Sequence, residues 1–164
     1  MRPDIAVRDA RAEDAEAFVR AYEVAWDAMA ASLIEKRLAD FASFESRLDG
    51  FRAGLAEASA DARILVAEDG DSIVGIATCR REGATCELRA LYVVPDAWGT
   101  GVARRLTETA LDAMRDRGAV EARLWVVEAN GRARRFYERE GWTLDGPRRA
   151  SALGPQEVRY RRSL

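Results

Sequence analysis

The amino-acid pattern predicts an α/β protein built on a mixed, largely antiparallel sheet of about seven strands flanked by helices. Three observations carry that expectation. Short β-rich runs with period-two alternation interchange along the chain with stretches whose apolar residues recur every three or four positions. An Asp69-Gly70 pair sits between two such β-rich runs, as in a tight hairpin. Two of the helical stretches stop at a glycine, Gly118 and Gly141. With 164 residues, 48% of them hydrophobic, the chain is the size of one domain and needs neither disulfide nor metal to support a core. A single domain over 1–164 is therefore expected.

Taken in order, Ile5-Ala6-Val7-Arg8 reads as a short strand. Asp14 then precedes a helical face of Phe18, Tyr22, Ala25, Trp26 and Met29. Leu38, Phe41, Phe44, Leu48, Phe51 and Leu55 step by three and four, so one second helix is expected across them. Residues 63–68 and 73–80 form the hairpin, and 85–94 the next strand, closed by Pro95. Gly99-Thr100-Gly101 opens a helix with Val102, Leu106, Ala110 and Ala113 or Met114 on its inner face. Residues 124–127 read as a fifth strand, and Asn130 caps a short helix presenting Ala133, Phe136 and Tyr137. Residues 143–148 and 158–162 complete the sheet, with 150–156 as their loop.

Composition excludes several function classes. Lys+Arg 26 against Asp+Glu 28 leaves a net charge of -2, so no global positive field draws in nucleic acid or an anionic membrane. The arginines at 132, 134, 135, 148, 149, 159, 161 and 162 read as solvated faces. Histidine is absent, and the two cysteines, Cys79 and Cys86, lack the spacing of a metal site, so no metal is expected. Acid–base chemistry then falls to carboxylate, tyrosine, thiol or water. The first residues, 1–4, precede no apolar signal segment, and no run approaches the roughly 20 apolar residues of a membrane span. A cytoplasmic location is expected.

The segment 91–103 runs from a buried strand through a glycine-containing turn into a helix. Free N–H groups and the positive end of the helix dipole converge there, and Gly99 and Gly101 let a phosphate approach the backbone. A dinucleotide loop wants a third glycine where Arg104 stands, and a Walker loop wants Gly-Lys-Ser/Thr, which is missing. An ordinary loop with a helix start remains the bland alternative.

A second segment, Asn130-Gly131-Arg132-Ala133-Arg134-Arg135-Phe136-Tyr137-Glu138-Arg139-Glu140-Gly141-Trp142, follows about thirty residues later. Together the two resemble the GNAT superfamily of acyl-CoA-dependent N-acetyltransferases. That pattern has a strand ending Val-x-Pro, then Arg/Gln-x-x-Gly-x-Gly/Ala, then a strand followed by Asn-x-x-Ala-x-x-Phe-Tyr-x-x-x-Gly-Phe/Trp. The matching positions are Val93, Pro95, Gly101, Ala103, Asn130, Ala133, Phe136, Tyr137, Gly141 and Trp142. The departure is Trp98, where the family usually has Arg or Gln.

The resemblance implies that strands four and five are parallel and splayed at one end, with the pantetheine arm entering the splay. It implies contacts to acetyl-CoA or coenzyme A from Leu91, Tyr92, Val93, Trp98, Gly99, Thr100, Gly101, Val102, Ala103, Asn130 and Phe136, with Arg104 and Arg135 near the phosphates. Asn130 reads equally as a simple N-cap. Tyr137 is implied as the acid that protonates the departing thiolate, though its inner-face position also suits a core residue. Glu87 is implied as a base; it lies six residues before Val93, so strict alternation puts both on one face, and an ion pair with Arg89 is the competing role.

The function the resemblance implies is direct transfer of an acetyl group from acetyl-CoA to a primary amine, that of a small molecule. A non-catalytic acyl-CoA sensor and a peptide or protein N-acetyltransferase are the alternatives. Acceptor identity, acyl length and oligomeric state, a homodimer included, stay open.

Overall fold

The computed structural model describes residues 5–152 and 154–164. The expectations for 1–4, and for Leu153 within the last loop, lie outside them. The element order is β1 (Ile5–Asp9), α1 (Ala15–Ala30), α2 (Phe44–Glu57), β2 (Ala62–Asp69), β3 (Ser72–Glu82), β4 (Thr85–Val93), α3 (Val102–Arg115), β5 (Glu121–Val127), α4 (Gly131–Arg139), β6 (Thr143–Ala150) and β7 (Gln156–Ser163). The seven strands form one sheet in the order β1-β2-β3-β4-β5-β7-β6. All neighbours pair antiparallel except β4 and β5, which run parallel.

The expected second helix begins later than its apolar spacing suggests. Leu38–Asp40 is a separate 3-10 turn, and α2 starts only after Ser43, whose hydroxyl accepts from the Ser46 amide at 3.1 Å. Leu38 is buried, but Phe41 stays exposed and stacks edge-on to Trp26 at 5.7 Å. A local cap outweighs the spacing here.

The sheet divides the core. On one face α3 and α4 pack over Leu65, Ala77, Leu88, Leu124 and Val158 through Val102, Leu106, Ala110, Leu111, Met114 and Tyr137. On the other, α1 and α2 bring Phe18, Val19 and Phe51 against Val66 and Ile76. Each fully buried aliphatic side chain contributes roughly 1.5–3 kcal/mol, so the α3 stripe holds that helix firmly on the sheet. Gly75 on β3 permits the contact: a Cβ there would lie 2.9 Å from both Leu106 Cδ1 and Val102 Cγ1.

An ion pair fastens β1 to the turn before α1. Arg8 donates to both Asp14 carboxylate oxygens, at 2.7 and 2.9 Å, and also to Glu68, while the Arg11 amide reaches Asp14 Oδ2 at 2.7 Å. The Arg8 guanidinium, foremost, holds the buried Asp14 carboxyl below its ordinary value of 3.8. A carboxyl depressed in the folded state stabilises above the unfolded value and loses that contribution as pH falls through the folded one. Asp14→Asn is therefore expected to cost about 2 kcal/mol at neutral pH and to flatten the fall in melting temperature below about pH 4. Thermal melts of both proteins from pH 7 to pH 2 check this; parallel curves would contradict it.

Candidate active site

The functional centre grows from a break in strand pairing. β4 and β5 pair only at Thr85↔Glu121, Cys86↔Ala122 and Glu87↔Arg123. Beyond these pairs the strands part, while β4 stays joined to β3 as far as Val93 and β5 to β7 as far as Val127. The β4 edge from Leu88 to Val93 thus faces β5 with no strand partner. Backbone amides on such an edge need hydrogen-bond partners of some kind.

At the open end of the gap stands the N-terminus of α3. The chain leaves β4 through a 3-10 turn, Pro95–Ala97, and reaches α3 through Gly99 (φ 74°) and Gly101 (φ 92°). Gly101 is the N-cap, and the first helical bond runs from the Arg105 amide to its carbonyl at 3.1 Å. The amides of Val102, Ala103 and Arg104 therefore precede the helix's own ladder and point out of its end. The Val102 side chain is buried in the core, so only its backbone is available to a ligand. Thr100 turns inward, donating its hydroxyl to the Ala97 carbonyl at 2.6 Å.

α4 closes the other side. Asn130 caps it, its side-chain oxygen accepting from the Ala133 amide at 3.1 Å. Arg134 donates to the Tyr160 hydroxyl and to the Glu128 carbonyl, and Tyr160 donates to Glu138, fixing the helix on β7. Gly141 (φ 83°) ends the helix, and the Trp142 amide returns to the Tyr137 carbonyl at 3.0 Å. Tyr137 is buried, with its ring tilted or edge-on to Phe136, Trp142 and Tyr160 at 5.2, 5.9 and 6.3 Å. Burial pushes its phenol well above the ordinary range, so it remains protonated.

Tyr92, on the α1 side of the sheet, lies within electrostatic reach of Tyr137. Burial, foremost, raises the Tyr92 phenol, and the nearby Tyr22, Tyr137 and Glu157 add to the shift. Tyr22 and Tyr92 contact edge-on at 5.0 Å. Tyr92 on β4 thus touches Tyr22 of α1 and lies within electrostatic reach of Tyr137 on α4 and Glu157 on β7. Glu157 was not a candidate, because its approach to Tyr92 is a tertiary effect that no spacing signals.

One expectation changes. Glu87 and Val93 lie on opposite faces, because β4 carries a bulge: Cys79 pairs with Leu88 and Thr78 with Ala90, leaving Arg89 extra. The extra residue reverses the alternation. Leu88, Leu91 and Val93 accordingly share the α3 side, and Glu87 falls on the side of Tyr92 and α1. There Glu87 accepts from Arg89 Nε at 3.4 Å. Arg104, placed near phosphate by resemblance, pairs with Glu140 at 3.3 Å, while Arg135 is exposed along the first turn of α4.

A cavity of about 400 Å³ lies on the same face of the sheet as Glu87, between α1, α2 and the sheet, walled by Phe18, Tyr22, Arg47, Phe51 and Arg89. Both cysteines are buried and free, and burial pushes each thiol up to about 11. Neither is poised as a nucleophile at neutral pH. Among the described residues no cluster of His, Cys, Asp or Glu can hold a metal ion, and no helix is long and apolar enough to cross a membrane.

The parting of the parallel strands β4 and β5 lies below a helix N-terminus that the chain reaches through Gly99 and Gly101. The chain belongs to the Acetyltransferase (GNAT) family, whose model matches residues 18–142. It is similar to a mycothiol acetyltransferase of Beutenbergia cavernae, 41% identical over 81 residues, covering 48% of this chain and 27% of the relative. An uncharacterized N-acetyltransferase of Mycobacterium bovis is 38% identical over 86 residues, covering 52% and 55%. The matched stretches thus span about half or less of these relatives. Among solved structures, the PaiA N-acetyltransferase of Thermoplasma acidophilum in complex with coenzyme A has the same fold, with TM-score 0.81, 19% identity and coverage of 98% and 99%.

Proposed function

We propose that this chain is an N-acetyltransferase, acting as one domain over 1–164, that moves an acetyl group from acetyl-CoA to the primary amine of a small molecule. The observation that carries it is the parting of β4 from β5 after Glu87 and Arg123, directly below the α3 N-terminus. Family membership and the coenzyme A bound by the PaiA relative support the same reading.

In this reading the first-turn amides of α3 receive the diphosphate, and Leu91, Tyr92 and Val93 line the path of the pantetheine. Backbone N–H groups on the unpartnered β4 edge polarise the thioester carbonyl. Glu87, or a water held by it, takes the proton of the incoming ammonium, which approaches from the cavity beside Tyr22 and Arg89. The amine nitrogen forms the new bond to the acetyl carbon as the carbon–sulfur bond breaks, and Tyr137 delivers its proton to the sulfur. With both cysteines buried and their thiols raised, a direct transfer without an acyl-enzyme fits best. A cavity of about 400 Å³ is in the range of small-molecule sites, roughly 300–1,000 Å³.

The test is release of free thiol from acetyl-CoA over panels of polyamines, amino acids, aminoglycosides and peptides. Acceleration by a small amine supports the proposal. Acceleration by peptides alone shifts the acceptor class. Binding of acetyl-CoA with no amine-dependent release leaves the sensor reading in its place.

A further inference from the structure

Trp98 stands where the family pattern usually has Arg or Gln, and its surroundings compensate for the missing charge. The indole Nε1–H donates to the Val93 carbonyl at 2.7 Å, which fixes the ring over the end of β4, one residue before Gly99. Trp98 remains exposed at the surface. On it lies the guanidinium of Arg132, from the first turn of α4, with its central carbon 3.2 Å from the ring centroid. A guanidinium stacks on indole through its flat face and keeps its N–H edges outward, ready for a planar anion contact.

Two other arginines near the site, Arg104 and Arg134, are already engaged. Arg104 is paired with Glu140, and Arg134 is spent on Tyr160 and the Glu128 carbonyl. Among the described residues Arg132 has no carboxylate within ion-pair distance. Partial burial lowers its pKa below the ordinary guanidinium value. The contact also spans the mouth of the splay, since Trp98 belongs to the loop before α3 and Arg132 to α4. A ligand phosphate at the α3 N-terminus therefore lies beside this cation.

We propose that Arg132, seated flat on Trp98, is the cation that grips the diphosphate of coenzyme A, taking the place of the Arg or Gln that the family pattern carries at position 98. The proposal rests on the acetyl-CoA reading above. It makes Trp98 a positioning residue and Arg132 a binding residue. It also assigns the grip to the diphosphate rather than the 3′-phosphate, because the stack sits beside the glycine loop.

Calorimetric titration of coenzyme A and of dephospho-coenzyme A into wild type, R132Q, W98A and the double variant tests this. A charge-assisted contact to phosphate corresponds to about a tenfold to hundredfold loss of affinity. R132Q is expected to show that loss with both ligands alike, since both keep the diphosphate. W98A is expected to show a similar loss, and the double variant to be little worse than either single change, because both remove one device. Equal binding by wild type and R132Q, or a loss confined to coenzyme A and absent with dephospho-coenzyme A, overturns the assignment. So does a W98A loss that adds in full to that of R132Q, the mark of a base stacked on the indole in place of Arg132. Wild type that binds neither ligand overturns the acetyl-CoA reading itself, a result distinct from binding that R132Q retains.

Discussion

Tyr137→Phe is expected to lower kcat by roughly 10²- to 10⁴-fold, the range attached to a positioned general acid. The KM for acetyl-CoA should move little, because the ring and its contacts with Phe136, Trp142 and Tyr160 stay in place. Folding should be unaffected as well: among the described residues the Tyr137 hydroxyl makes no hydrogen bond, so its removal leaves no partner stranded. The sign of the pH dependence follows from burial. An acid works only while protonated, and a phenol raised above its ordinary value stays protonated past pH 10. On the proposed acid role, the same desolvation that disfavours phenolate would also disfavour a thiolate leaving beside it. Acid and leaving group therefore stay matched. Wild type should show no Tyr137-linked decline in kcat on the alkaline side up to about pH 10. Steady-state rates from pH 6 to pH 10 for both proteins check both statements, and a Phe variant with unaltered kcat removes Tyr137 from the chemistry.

The second large effect is expected at Gly101. Its φ of 92° lies where a side chain costs about 1–2 kcal/mol, and it caps the helix end whose amides face the gap. Gly101→Ala should reduce coenzyme A affinity tenfold or more by turning those amides away. Gly118, at φ 93° beyond the far end of α3, supplies a matched control, because a Cβ there meets open space. About 20 Å of helix separates the two. Gly118→Ala should lose comparable stability and keep wild-type affinity. Thermal melts with calorimetry on both variants separate strain from binding. Equal affinity losses would mean that general destabilisation, not the phosphate loop, explains the Gly101 result.

Much of the fold could be read from local signals because each carries its own physics. Asn130 and Gly141 bracket α4, Gly118 stops α3, and the hairpin turns at Gly70 (φ 61°), as Asp69-Gly70 suggested. The α2 boundary was harder, since Leu38 and Phe41 keep helical spacing while the Ser43 cap decides where the helix starts. The bulge at Arg89 has no glycine or proline to announce it, yet it alone decides which face Glu87 occupies. The family motifs pointed to the loop at Gly99–Gly101 and to Tyr137, two separated pieces of the proposed site. Tyr92 comes against Tyr22, and within electrostatic reach of Tyr137 and Glu157, through the crossing of four elements, which lies in tertiary packing rather than in any window of sequence. The Trp98–Arg132 stack is of the same kind: the motif showed a departure at one position and packing supplied the cation from another.

Hydrogen exchange with and without coenzyme A measures the central claim most directly. Amides at the first turn of α3 and on the unpartnered β4 edge lack strand or helix partners and should exchange quickly in the free protein. Coenzyme A is predicted to slow exchange at residues 101–104 and at 91–93 together. Unchanged exchange at both stretches under saturating ligand, or protection confined to other parts of the chain, would contradict a diphosphate held by α3 and a thioester arm held between β4 and β5.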